Sequence, residues 1–485
     1  MRRLAPSALA LLLAGCAVGP DFERPAAPEG KGYGVELTKP AGNDAQRLST
    51  TMDIPAQWWQ LFNNAKLDKL VEQSLKGNPS VDAAKAALRQ AHELYSAQWT
   101  ALLPVVTGGL SQTRNKFGPA TISSPTSNNN PYYSLYTAQL TLSYAPDVFG
   151  GTRREIEAAK AEEEQNRYQL EATYLTLSST VVVTVVQEAS LHAQIEATNR
   201  LIAIEHDLTE AVRRQHDIGT AATLDLRLQE TTEAQTRALL PPLQKQLEQS
   251  RDALAALLGR FPDEAAALDE FRLADLTLPR DLPVSLPSKL VAQRPDIRQA
   301  EETLHQATAE VGVAINDELP QFSIDGNLGS TALKTGSLFG SGTGFWSLGT
   351  SLTQTLFDAG ALLHKRRAAD AAMDQAAAQY RSTVIGAVQN VADTLRALQA
   401  DSDAVQANAA AARSAEEALD IAKGQYKLGT VSLVALLTAE IAYQQAVLAH
   451  IQAVASRYSD TAGLFQALGG GWWNRPEPAK DEEER

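Results

Sequence analysis

The landmarks of this chain occur twice in the same order, and this repetition constrains the fold more than any other feature. Asn78-Pro79 opens an amphipathic stretch that ends at Leu103-Pro104; Arg294-Pro295 opens another that ends at Leu319-Pro320, offset by 216 residues at both ends. Phe149-Gly150-Gly151 is echoed by Phe357-Asp358-Ala359-Gly360, offset by 208. Ile218-Gly219-Thr220 is echoed by Leu428-Gly429-Thr430, and Leu258-Gly259 by Leu468-Gly469, both offset by 210. Only the loops change length. So long a period excludes a solenoid. It implies an internal two-fold repeat, with two halves packed in a pseudo-symmetric body.

Within each copy the hydrophobic period switches. Tyr136, Ala138, Leu140, Leu142 and Tyr144 alternate with Thr137, Gln139, Thr141 and Ser143, as in a strand with one apolar and one polar face. In the second copy Phe322, Ile324 and Leu328, then Trp346, Leu348 and Leu352, alternate with polar residues in the same way. Each copy therefore contributes a β-hairpin, 105–145 and 322–356. Its strands, of about ten residues, are long enough to cross a bilayer when tilted. Proline-free stretches follow at 151–219 and 360–429. As helices they would each span about 100 Å. Each turns at a Gly-Thr and returns, giving helical hairpins 151–258 and 360–468. The shorter helices before the β-hairpins, stacked end to end on the return helices, would line each long helix. Pro241-Pro242 interrupts only the first return helix, where a kink or break is expected; the second carries Ile451-Gln452 there.

The organisation expected is a signal peptide (1–15), a leader (16–62), repeat one (63–259), a connector (260–294), repeat two (295–472) and a disordered tail (473–485). Arg2 and Arg3 precede a short apolar run, Leu9 to Leu13, that is too short to span a membrane. Leu13-Ala14-Gly15-Cys16 resembles a bacterial lipobox. That resemblance implies cleavage before Cys16 and its acylation; Ala17, not Asp, follows, which among lipoproteins implies delivery to the outer membrane. As the only cysteine, Cys16 also excludes an intramolecular disulfide. A net charge of −14 argues against an extended nucleic-acid surface. The seven histidines show no metal-ligand spacing, and the glycine-rich run 340–344 lacks the Lys-Ser/Thr of a phosphate loop. No enzyme, metal or cofactor is expected.

Four strands with one apolar face leave two open edges, which a membrane does not tolerate. Two chains would supply eight strands and three would supply twelve, both workable barrels. Here the motifs carry a family resemblance. Cys16 to Phe22, Trp58-Trp59, Asn78-Pro79, Leu103-Pro104, the paired Gly-Thr turns and Ala467 to Trp472 together resemble the TolC-like outer-membrane factors, in the lipidated branch that includes OprM and NodT. The resemblance implies a mainly α protein with a membrane β-barrel: a homotrimer with a shared twelve-stranded β-barrel and a long α-helical barrel. It would be a passive exit duct for drugs or other solutes, with a periplasmic adaptor (membrane fusion) protein and an inner-membrane efflux pump as partners. The alternative is a lipid-anchored periplasmic coiled-coil adaptor without a pore.

The resemblance also implies sites. The tips at Gly219-Thr220 and Gly429-Thr430 would close the tunnel and meet the adaptor. Tyr426 would donate a closing hydrogen bond to Asp225; the plainer reading makes Tyr426 a groove-filling aromatic and Asp225 a charge at a helix start. Relatives often carry an acid where this chain has Ala435 or Thr438, so Val434, with Leu437 nearby, would form an apolar constriction instead of a charged ring, with Glu440 the nearest acid. Basic clusters at Arg153-Arg154 and 365–367 would reach outer-membrane lipid phosphates or simply be solvated helix starts.

Overall fold

A computed structural model describes residues 17–27, 32–34, 46–49, 51–116 and 131–475. The expected signal peptide, Cys16 and most of the tail lie outside the described residues. The elements in chain order are β1 (Arg47–Ser49), α1 (Ala65–Gly77), α2 (Pro79–Trp99), β2 (Val105–Lys116), β3 (Tyr132–Tyr144), α3 (Gly151–Asp217), α4 (Thr223–Ala238), α5 (Leu240–Leu257), β4 (Asp281–Pro283), α6 (Pro287–Gln293), α7 (Pro295–Asp317), β5 (Gln321–Ala332), β6 (Gly344–Thr353), α8 (Ala361–Lys427) and α9 (Leu433–Ala467). They divide into two compact units.

The first unit holds residues up to 25, 88–166 and 300–380. Its sheet is antiparallel, in the order β2-β3-β5-β6, so the two hairpins adjoin through β3 and β5. Leu140 faces Gly108 on one side and Leu328 on the other, and Leu328 faces Trp346. The expected alternation is therefore continuous across four strands. One face carries Val106, Leu110, Leu140, Leu328, Trp346, Leu348 and Leu352, all exposed. On the other face Thr141 donates to Asn327 Oδ1 at 2.9 Å, and Ser143 to Asp325 Oδ1 at 3.0 Å. Among the described residues the outer edges of β2 and β6 have no strand partner.

Aspartates cap both long helices. Asp147 accepts the N–H groups of Thr152 and Arg153, and Asp358 those of Gly360 and Leu362. Arg154 is only 4% exposed and does not reach outward. It donates to the carbonyls of Val18 and Gly19, and pairs with Asp21 and Glu157, each at 2.7 Å. The leader crosses the helices at glycines: a Cβ on Gly150 would strike Ala17, and one on Gly19 would strike Gly312. Phe22 stacks on His305 at 4.3 Å. The first of the basic clusters is thus a clamp on the leader, because a buried guanidinium is tolerated only where its donors are satisfied.

The second unit holds residues 26–87, 167–299 and 381 onward. Trp58, Phe62, Phe271 and Phe465 are fully buried, and Trp58 stacks on Phe465 at 5.2 Å. Ser74 and Asn78 both donate to Leu257 O, at 2.6 and 2.9 Å, joining the end of α5 to the start of α2. Arg294 donates to Ala467 O at 2.7 Å, joining the end of α9 to the start of α7. This is the expected end-to-end stacking, made by different side chains in each half. The long helices α3 and α8 are both 67 residues. The first return helix breaks at Leu239, just before Pro241-Pro242, whereas α9 runs unbroken for 35 residues.

Two expectations need correction. The connector, whose prolines suggest an irregular or short-strand segment, does hold the short strand β4 but also a helix: Pro287 at the first turn starts α6, whose Leu290 and Val291 are buried. The tail is not free from residue 473 either. Asn474 donates to Asp53 Oδ2 at 2.9 Å, and Arg475 pairs with Glu171 at 3.1 Å.

Replacing Arg154 by Ala removes the clamp at a cost of about 1–3 kcal/mol. Limited proteolysis should then cleave the leader around residues 18–25 faster than in the parent; an unchanged cleavage pattern would refute the clamp.

Candidate functional site: the tips of the helical hairpins

Both tips of the second unit are closed by the same backbone device. Gly219 and Gly429 take positive φ, 79° and 71°, where a Cβ would be strained. Beyond them the Thr220 N–H reaches back to Gln215 O at 2.8 Å, and the Thr430 N–H to Gln425 O at 3.0 Å. Each threonine hydroxyl donates to the same carbonyl, at 2.9 and 3.0 Å. This is the six-to-one bond of a Schellman turn with a side-chain bond added. Both tips are bare of cover, with Ile218 and Leu428 largely exposed.

The return helices start differently. Ser432 caps α9 by accepting the Ala435 N–H at 3.3 Å. At the start of α4 the corresponding residue is Ala222, and Asp225 Oδ2 accepts the Ala222 N–H at 3.3 Å. Each tip thus has one capping side chain, at opposite ends of the same first turn. Asp225 is spent on its own helix start, where the macrodipole favours a carboxylate.

Behind the tips the two hairpins meet in an apolar cluster of Val212, Leu226, Leu419, Leu433, Leu436 and Leu437, with Tyr426 packed against it. The Tyr426 hydroxyl donates to Gln215 Oε1 at 3.2 Å, bridging α8 to α3. The expected Tyr426–Asp225 hydrogen bond is not made in the chain. Burial, followed by the nearby Asp225 charge, raises the Tyr426 pKa above its ordinary value. Gln215 was missed by sequence reasoning. Its only signal was its place, six residues before Ala221, matching Gln425 in the other half.

The remaining candidates separate by face. Val434 is 59% exposed, and Thr438, one turn on, is also exposed, its hydroxyl donating to Val434 O at 2.8 Å. Leu437 faces the opposite way, into the apolar cluster. Glu440 is 3% exposed and so belongs to no exposed ring. Burial, and then the carboxyl of Glu205, push its pKa up to about 8. Glu205, on α3, is also buried and also raised, burial being the larger cause. Gln229 of α4 donates to Glu205 Oε2 at 2.8 Å. Glu205 was not legible in advance, being one of many acids along a helix. Among the described residues no group of three or more acids, histidines or cysteines is arranged to hold a metal ion.

The model of the outer membrane efflux protein family matches residues 70–260 and again 286–470. The chain belongs to this family. The pyoverdine export outer membrane protein OpmQ of Pseudomonas putida is 28% identical over 439 residues, covering 90% of this chain and 93% of that protein. The outer membrane protein OprJ of Pseudomonas aeruginosa is 28% identical over 465 residues, covering 96% and 95%. The solved outer-membrane channel OprN superposes with a TM-score of 0.85 at 28% identity, over 94% of this chain and all of that one. The chain is thus an outer-membrane efflux channel protein, and nothing favours the pore-less adaptor.

A double-mutant cycle on Tyr426→Phe and Gln215→Leu, followed by thermal unfolding, should give a coupling of about 0.5–1 kcal/mol. The cycle on Tyr426→Phe and Asp225→Asn should give a smaller value; the reverse ranking would restore the original assignment.

Proposed function

We propose that this chain is the exit duct of a tripartite efflux system, working as a homotrimer with a periplasmic adaptor and an inner-membrane pump. The observation that carries this is the four-stranded sheet with one apolar face and two unpaired edges. Three copies close it into a twelve-stranded barrel whose apolar face meets lipid and whose Thr, Asn and Ser ladder lines the lumen. A second feature points the same way. Helix α9 is long and apolar enough to cross a membrane, yet only 17% of that stretch is buried in the single chain. Neighbouring chains in a helical barrel would cover it.

In this reading the chain is an internal repeat. The two matches of the family model, the two Schellman turns and the two equal long helices support it. The boundaries follow: signal peptide 1–15, leader 16–62, repeats 63–259 and 295–472 around the connector 260–294, with the charged end of the chain outside the fold. Cys16 carries the lipid. The clamp that Arg154 places on residues 18–21, beside the start of a long helix, suits an anchor tethered close to the barrel. Gly219-Thr220 and Gly429-Thr430 form the tips that meet the adaptor, and exposed Val434 and Thr438 line the constriction. That ring is uncharged at these positions, since Glu440 is turned inward to the hairpin contact.

The purified protein should run as a trimer by native mass spectrometry and give single-channel currents in a planar bilayer. A folded trimer that leaves the bilayer silent under all conditions would defeat the duct. Cys16→Ser should abolish incorporation of labelled palmitate while leaving trimer formation intact.

A further inference from the structure

Four helices converge one to two turns behind the apolar cluster at the tips. Helix α3 brings Glu205, α4 brings Gln229 and Glu233, α8 brings Lys423, and α9 brings Glu440. Glu205, Gln229, Glu233 and Glu440 are all buried. Glu233 is already engaged by His206 at 3.2 Å and Arg237 at 2.6 Å. Lys423 is the cation whose field reaches both Glu205 and Glu440. Neither Glu440 oxygen has a hydrogen-bond partner among the fixed donors around it, and Gln229 Oε1 is an unpartnered acceptor. A buried carboxylate with no donor costs several kcal/mol, whereas a carboxylic acid supplies its own donor. The contact is chemically complete only if the pair holds a proton, which then bonds one carboxyl to the other.

We propose that Glu205 and Glu440 form a proton-sharing latch that ties the two helical hairpins together, so that proton loss loosens the tips. The two residues lie on different hairpins, and the apolar cluster next to them is the rest of the same contact. Loss of the proton leaves two buried negative charges facing each other, with one lysine between two acids to offset them. Repulsion and rehydration then both favour separating α9 from α3. The direction follows from the raised pKa values. The folded pair keeps its proton to higher pH than free glutamate does, so the latch is whole below the ordinary carboxylate range. It is lost as pH rises through about 8. The mechanical consequence rests on the duct reading above; the latch itself does not.

The test places spin labels at Ala203→Cys on α3 and Ala442→Cys on α9, both exposed, in full-length trimers diluted with unlabelled chains. The label distance and the single-channel conductance are followed from about pH 6 to about pH 9. In the parent the distance should lengthen, and conductance should rise by roughly five-fold or more, because each unit of pKa displacement is a tenfold bias on the coupled equilibrium. Glu440→Gln, which mimics the neutral acid, should abolish most of both responses, and so should Glu205→Gln. Glu188 and Asp401 are also raised, each to about 7, so they titrate in the same window. Glu188→Gln and Asp401→Asn should leave the response in place. Equal responses in the parent and in both glutamate variants, or no distance change in the parent, would overturn the latch. A distance change without current at any pH would support the latch and defeat the duct.

Discussion

A strand at the edge of a sheet carries a row of unpaired N–H and C=O groups, and in a hydrocarbon layer each costs several kcal/mol. That requirement organises the rest of this molecule. The sheet has a continuous apolar face, so it calls for lipid, and two open edges, so it calls for more strands. A single chain meets neither need. The same incompleteness recurs along α9, of whose apolar stretch only 17% is buried. Both deficits point to the same remedy, further copies of the chain.

At the tips the two halves satisfy one backbone requirement with one device and then diverge. The Schellman turns at Gly219 and Gly429 are alike down to the threonine hydroxyl. The helix starts beyond them exchange roles, Ala222 with Asp225 in one and Ser432 with Ala435 in the other. The two caps satisfy different donors of that first turn, the Ala222 N–H in one and the Ala435 N–H in the other. Asp225 serves its own helix start, and the Tyr426 hydroxyl donates elsewhere. The bridge between hairpins passes instead to Gln215, an amide that carries no charge.

Much of the architecture was legible from the chain alone because it rests on periodicity. The alternation at 136–144, the proline-free runs and the Gly-Thr punctuation gave hairpins and helices near their observed limits, and Pro241-Pro242 marked the break. The site was read less well, for a reason tied to helix geometry. In a chain of 67-residue helices every side chain has neighbours three and four residues away, so spacing does not distinguish the face at a contact from the face at a lumen. Glu440 was the nearest acid to the constriction, with nothing in its spacing to say which way it faces, and is buried; Glu205 looked like any surface acid and is buried too. Arg154 looked like a lipid contact and grips the leader. In each case the decision lies in long-range packing.

An acid pair at a helix contact is a poor choice if stability alone is at stake. Two leucines would extend the adjacent apolar cluster and remove the desolvation cost. Retaining acids makes sense where the contact must be strong in one state and weak in another. A neutral pair packs almost as an apolar group with an internal hydrogen bond, whereas an ionised pair repels in a medium that screens poorly. The wall around it is built of ordinary leucine and alanine contacts, which vary little with conditions. A proton at Glu205–Glu440 therefore alters a junction between the hairpins while leaving the hairpins themselves intact, which is what a gate made from rigid helices needs.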